Sequence, residues 1–125
     1  MTPPLVIIDA ANVVGSVPDG WWRDRAGATE RLRDSLATLA TDGLPGAPEP
    51  PLEVVLVVEG RARKVTGTDQ VRVVAAPGSG DDAIVDLVRT EGVDRPTVVI
   101  TADRELRDRV SALGASVLGP RTVRR

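Results

Sequence analysis

The sequence contains no cysteine and no histidine. Without cysteine, neither a disulfide nor a thiolate-held metal is available. Without histidine there is no Ser-His-Asp triad, no imidazole general base and no imidazole-bound zinc. Any metal in this chain must therefore be held by oxygen, which points to Mg²⁺ or Mn²⁺. Phenylalanine and tyrosine are also absent, and Trp21 and Trp22 are the only aromatic residues. No apolar run approaches the ~20 residues needed to span a bilayer. The start, Met1-Thr2-Pro3-Pro4, lacks a basic segment followed by a long apolar one. No signal peptide and no membrane span are expected, and a cytoplasmic location follows as the expectation. A formal net charge of −2 rules out a global basic field, so a protein that coats DNA regardless of sequence is not expected. A local basic rim remains open. Of the 16 basic residues all but Lys64 are arginine, the better phosphate fork, although GC-rich coding produces the same preference.

What is present suits one domain over residues 1–125, with 42% apolar and 27% charged residues. The leading feature is Leu5-Val6-Ile7-Ile8-Asp9-Ala10-Ala11-Asn12. Four apolar residues running into an aspartate read as a strand buried on both faces, with Asp9 at its carboxyl end. Open parallel sheets bind their ligands at that edge. Val17-Pro18-Asp19-Gly20 is turn chemistry. From Trp22 to about Ala40, Ala28, Leu32, Leu36 and Leu39 keep helical spacing, and an exposed apolar face on this long helix could serve a homodimer. Residues 44–51 hold four prolines and form a loop. Strands are expected at Leu52–Val58, Val71–Ala75, Thr97–Ile100 and Ala115–Leu118. Residues 61–70 read as a loop with room for one helical turn. Helices are expected over Asp81–Glu91 and Asp103–Leu113. The alternation predicts an α/β three-layer sandwich with a mostly parallel five-stranded sheet.

The chemistry lies in carboxylates. Asp9 follows the first strand, Asp103 follows the fourth, and Asp81 and Asp82 open the helix after the third. If the first and fourth strands flank the point where strand order reverses, these groups meet at one edge of the sheet. Clustered carboxylates repel unless a cation neutralises them or some take up protons. Mg²⁺ uses one or two carboxylates together with waters and phosphate oxygens. Plainer readings stand beside this one. Ser79 with Asp82 fits a capping box, and Asp103 alone would serve as a helix cap. Asp9 begins no helix visible in the sequence, so it lacks such an alternative. Asn12 either caps a turn or hydrogen-bonds a ligand phosphate or a site carboxylate. Glu59 and Asp86 either border the site or face solvent, and so do Arg61, Arg63 and Arg104 as phosphate contacts. One tryptophan could stack on a base, while anchoring the first helix explains both.

At these residues the sequence resembles a known family. Val6-Ile7-Ile8-Asp9-Ala10-Ala11-Asn12-Val13 resembles the opening of NYN domains, a branch of the PIN-like nucleases. Gly80-Asp81-Asp82-Ala83-Ile84-Val85 is similar to their paired aspartates at a helix start, and Val99-Ile100-Thr101-Ala102-Asp103 to their strand-end aspartate. The likeness runs through nearly the whole chain and is closest to the compact YacP-like group. It implies a PIN-like sandwich that cuts RNA with Mg²⁺ or Mn²⁺. Metal-ligand and catalytic roles would fall to Asp9, Asp81, Asp82 and Asp103, and a site role to Asn12. Two departures stand out. Ala10-Ala11 replaces what is more often glycine and a bulky residue. Arg107 stands where some members carry another acid, and Asp108 lies on a different helical face. The expected reaction is metal-assisted hydrolysis of single-stranded RNA, with Asp82 suited to orient the attacking water. The rival is a nucleic-acid-binding or protein-interaction module of the same fold without turnover. Gly78-Ser79-Gly80-Asp81-Asp82-Ala83 also fits the dinucleotide pattern G-x-G-x-x-A, but two aspartates there would repel a pyrophosphate.

Overall fold

The apolar runs of the sequence become the strands of one sheet in the computed structural model, which describes residues 2–124. The strands are β1 (Leu5–Asp9), β2 (Glu53–Val58), β3 (Arg72–Ala75), β4 (Thr97–Ile100) and β5 (Ser116–Leu118). They lie in the order β3-β2-β1-β4-β5, and every pairing is parallel. The sheet is thus wholly parallel where a mostly parallel one was expected. β1 is central and every one of its residues is buried, because both its neighbours and both faces are covered.

Strand side chains alternate between two cores. Val6, Ile8, Val54, Leu56, Val98 and Ile100 face Ala28, Leu32 and Leu36 of the long first helical segment. Leu5, Ile7, Val55, Val57 and Val99 face Ile84, Val88, Leu106 and Val110 on the opposite side. Helices therefore cover both faces, and the sandwich has three layers. Each fully buried Leu, Ile or Val contributes about 1.5–3 kcal/mol, which fixes the strand register more firmly than any single polar contact. Asp9 continues the odd-numbered series Leu5, Ile7 and so emerges on the side of the second core.

The helices are α1 (Ala10–Gly15), α2 (Arg25–Ser35), α3 (Leu39–Asp42), α4 (Gly80–Glu91) and α5 (Arg104–Ser111). The last two match the expected spans closely. Ser79 caps α4 by accepting from the Asp82 N–H, and Asp103 caps α5 by accepting from the Leu106 N–H. The segment expected as one helix over 22–40 is instead a 3₁₀ turn at Trp21–Arg23, then α2, then α3. Asp24 breaks it, because its side chain accepts from the Gly27 N–H and starts a new helix there. A 3₁₀ turn at Gly60–Lys64 occupies the start of the loop expected at 61–70, for which one helical turn was allowed. The apolar residues Ala28 and Leu32 of α2 are buried against the sheet. No helix among the described residues is long and apolar enough to cross a membrane.

Candidate active site at the carboxyl edge of the sheet

Strand order reverses between β1 and β4, which lie side by side in the middle of the sheet. β1 connects onward toward β2 and β3 on one side, and β4 toward β5 on the other. The carboxyl ends of β1 and β4 therefore open a crevice, the place where parallel α/β sheets receive ligands. Asp9 ends β1 there, and Asp103 lies three residues beyond the end of β4.

Asp9 does begin a helix, against the sequence reading. α1 starts at the very next residue, and the Asp9 side chain caps it by accepting from the Asn12 N–H at 3.4 Å. The other carboxylate oxygen accepts from the hydroxyl of Thr101 at 2.9 Å. Thr101 in turn accepts from the Asp103 N–H at 3.1 Å, so one hydroxyl joins the Asp9 carboxylate to the Asp103 backbone. Thr101 is fully buried, and this bridge ties the two sides of the crevice together. Asn12 closes it further, because its side-chain oxygen accepts from the Ala102 N–H at 2.8 Å.

Asp9 is only 4% exposed. Burial pushes its carboxyl up from 3.8 to about 6; the two hydrogen bonds oppose the shift, and the charges of Asp81 and Glu59 add to it. Asp81 is half-buried at the start of α4, and its carboxyl is also raised, first by burial and then by Asp103 and Glu59. Asp81 and Glu59 thus act on Asp9, and Asp103 and Glu59 act on Asp81, where the charge of Arg109 opposes them. No ion pair between described residues involves any of the four acids. Clustered carboxylates of this kind repel one another while they are charged. Among the described residues no three acidic groups already stand close enough to hold one ion together.

Glu59 belongs to this edge more firmly than its sequence position suggested. Its carboxylate accepts from the Gly80 N–H at 2.7 Å. A Cβ at residue 80 would meet that carboxyl at 3.3 Å, so glycine lets the two segments approach. Asp82 is turned elsewhere. It is exposed and pairs with Arg109 of α5 at 3.1 Å, and it does not appear among the charges acting on Asp9 or Asp81. Arg104 is exposed at the first turn of α5, and Asp86 pairs with Arg89 on the solvent side of α4. Asp108 is exposed. Arg107 donates through Nε to the Thr101 carbonyl at 2.8 Å, which brings a guanidinium, not an acid, against the crevice. Thr101 and Glu59 are the residues that sequence reasoning missed or left open. A hydroxyl one residue past a buried strand and two before an aspartate was the available signal for the first.

No protein-family model matches this chain, and no curated protein matches it by sequence. Among solved structures it is similar to two crystal structures of Rae1 (YacP) from Bacillus subtilis, one of them a point mutant. The TM-scores are 0.68 and 0.67 at 19% and 17% identity, covering 95% of this chain and 70% of that one. At such identity the likeness is one of architecture: the chain has the α/β fold of Rae1 (YacP).

Proposed function

We propose that the protein is a metal-dependent ribonuclease that hydrolyses phosphodiester bonds within single-stranded RNA at the crevice between β1 and β4. One observation carries this reading: a buried aspartate at the switch point, held in place by two donors, whose carboxyl is lifted by burial and by neighbouring acids that make no ion pair among the described residues. The donor set fits Mg²⁺ or Mn²⁺. All its members are hard oxygens, and these ions complete their shells with waters and phosphate oxygens rather than with a full cage of side chains. When bound, such an ion supplies Lewis-acid polarisation of the phosphoryl oxygen and a water of lowered pKa.

The residues divide the remaining work. Asp9 and Asp81 would hold the ion, with Asp103 across the crevice as third ligand. Thr101 and the Asn12 N–H fix the orientation of Asp9, and each oxygen that accepts from them keeps a lone pair that could face a cation. Asp82 would have to leave Arg109 to orient the attacking water. Asn12 uses its side-chain oxygen on Ala102, which would leave its NH₂ for a substrate phosphate; Arg104 is exposed and makes no ion pair among the described residues.

The test uses an unstructured oligoribonucleotide labelled at one end, together with a circular RNA that only internal cleavage can open. Both should be cut in Mn²⁺ or Mg²⁺ and neither in EDTA. If Asp9→Ala cuts in Mn²⁺ as fast as the parent, the proposal is wrong. A second reading rests on Arg107, which places a positive charge where an additional acid would assist a second metal. Tight RNA binding without cleavage in several divalent metals would favour a binding module of the same fold.

A further inference from the structure

Beside the acidic edge lies a cavity of about 420 Å³ that the carboxylate chemistry does not use. Its walls include Ala10 and Ala11 of α1, Trp21, Arg25, Glu59 and Arg63. The volume falls within the range of small-ligand sites and exceeds that of a single nucleobase. Two of its walls are shared with the site already described: Ala10 follows Asp9 directly, and Glu59 acts on both Asp9 and Asp81.

The other walls are chemically distinct from that edge. Trp21 is half-buried, packs against the first core, and carries the Arg25 guanidinium over its ring at 5.3 Å from the centroid. Arg63 is stretched between two backbone carbonyls, donating to Gly60 at 3.3 Å and to Pro77 at 3.5 Å. Neither Arg25 nor Arg63 has a carboxylate partner among the described residues. Two arginines without acids and one indole, lining a hollow in a chain of net charge −2, complement a flat aromatic anion. Arginine planes and indole rings are the side chains on which unpaired bases stack, and arginine forks take phosphate. Ala10 and Ala11 line the hollow with small side chains. Ala11 is exposed and lines the hollow, so a large side chain there would take up part of its space.

We propose that this cavity receives one unpaired nucleotide of the RNA, its base against the Trp21–Arg25 wall and its phosphate on Arg63, and so sets which linkage reaches Asp9. The proposal rests on the nuclease reading for its substrate class. Glu59 marks the boundary between the two parts: it faces the cavity on one side and the carboxylate edge on the other.

The experiment separates binding from cleavage. In a Trp22→Phe background Trp21 is the sole indole, and its fluorescence is followed while an unstructured oligoribonucleotide is added in EDTA at low salt. Quenching is expected, because a base that stacks on the Trp21 wall shares its π-surface. Stacking contributes about 1–3 kcal/mol per base, so Ala11→Phe, which takes up part of the cavity, should raise Kd roughly tenfold. Arg63→Ala should raise it by a similar factor. Ala11 is exposed, so its replacement spares the core that Trp21→Ala would disturb. In Mn²⁺, Ala11→Phe should raise KM by the same factor while kcat changes less than about threefold. No quenching, or Ala11→Phe and Arg63→Ala binding RNA like the parent, overturns the cavity proposal; cleavage by those same proteins would leave the nuclease reading intact. Quenching that both variants abolish, with no cleavage in any divalent metal, supports the cavity and removes the nuclease reading instead.

Discussion

Replacing Asp9 with asparagine should stabilise the metal-free protein while abolishing its cleavage activity. The folded-state carboxyl lies at about 6 against an ordinary value of 3.8. An acid whose pKa is raised by folding opposes folding when it is charged. The penalty is fully present well above pH 6 and is relieved as pH falls through 6 toward 3.8. The gap corresponds to roughly 3 kcal/mol at most. Between pH 8 and pH 5 the linkage relation gives a gain of about 1.4 kcal/mol for the parent protein. Asparagine keeps the shape and one acceptor oxygen but carries no charge. Allowing about 1 kcal/mol for the less favourable bonds from Thr101 and Asn12, Asp9→Asn should be more stable than the parent at pH 8 by about 1–2 kcal/mol. The measurement is urea unfolding in EDTA at pH 5 and pH 8, followed by circular dichroism. The parent should gain stability on acidification, and the difference between the two proteins should shrink by about 1.4 kcal/mol at pH 5. If Asp9→Asn is the less stable protein at pH 8, or if the difference is the same at both pH values, burial of a strained charge at the switch point is refuted.

Further outcomes follow from the same geometry. Thr101→Val, nearly the same shape, removes the donor to Asp9 and the acceptor for the Asp103 N–H; it should cost about 2 kcal/mol in urea unfolding and weaken Mn²⁺ binding by calorimetry at pH 7. Asp103→Asn keeps the cap on α5 and so should leave stability within about 0.5 kcal/mol, whereas Asp103→Ala should lose about 1 kcal/mol more; both should cut RNA at least roughly 100-fold more slowly. Asp82→Ala breaks only an exposed pair with Arg109, so stability should change by less than about 1 kcal/mol and cleavage far less than in Asp81→Ala. Saturating Mg²⁺ should raise the melting temperature at pH 8 more than at pH 5, since protons compete for Asp9, and Asp9→Asn should lose most of that rise.

Much of this architecture is legible in the sequence because it depends on the strongest local signals. Continuous apolar runs such as Val6-Ile7-Ile8 and Val98-Val99-Ile100 announce buried strands, and an aspartate at the end of each places charge at one edge. Ser79 and Asp103 announce their helices by capping chemistry. α1 was not legible, because six residues containing two adjacent valines show neither helical length nor favourable propensity. It forms because Asp9 caps it and Val13 and Val14 are buried beneath it. The break at Asp24 was hidden because a capping aspartate also fits the polar face of a continuous helix. Glu59 and Asp82 show the deeper limit. Which of two acids faces a crevice depends on how α4 and α5 lie against each other, and Arg109 of one helix decides the fate of Asp82 on the other. That information is tertiary, and no local pattern carries it.

Because β1 is the middle strand, laddered on both sides and shielded on both faces, it will be among the last segments to exchange its amide protons. The aspartate at its tip is therefore carried by the portion of the molecule that opens only when everything opens. Heat should therefore release Asp9 from its place only at the midpoint at which the sheet itself dissolves.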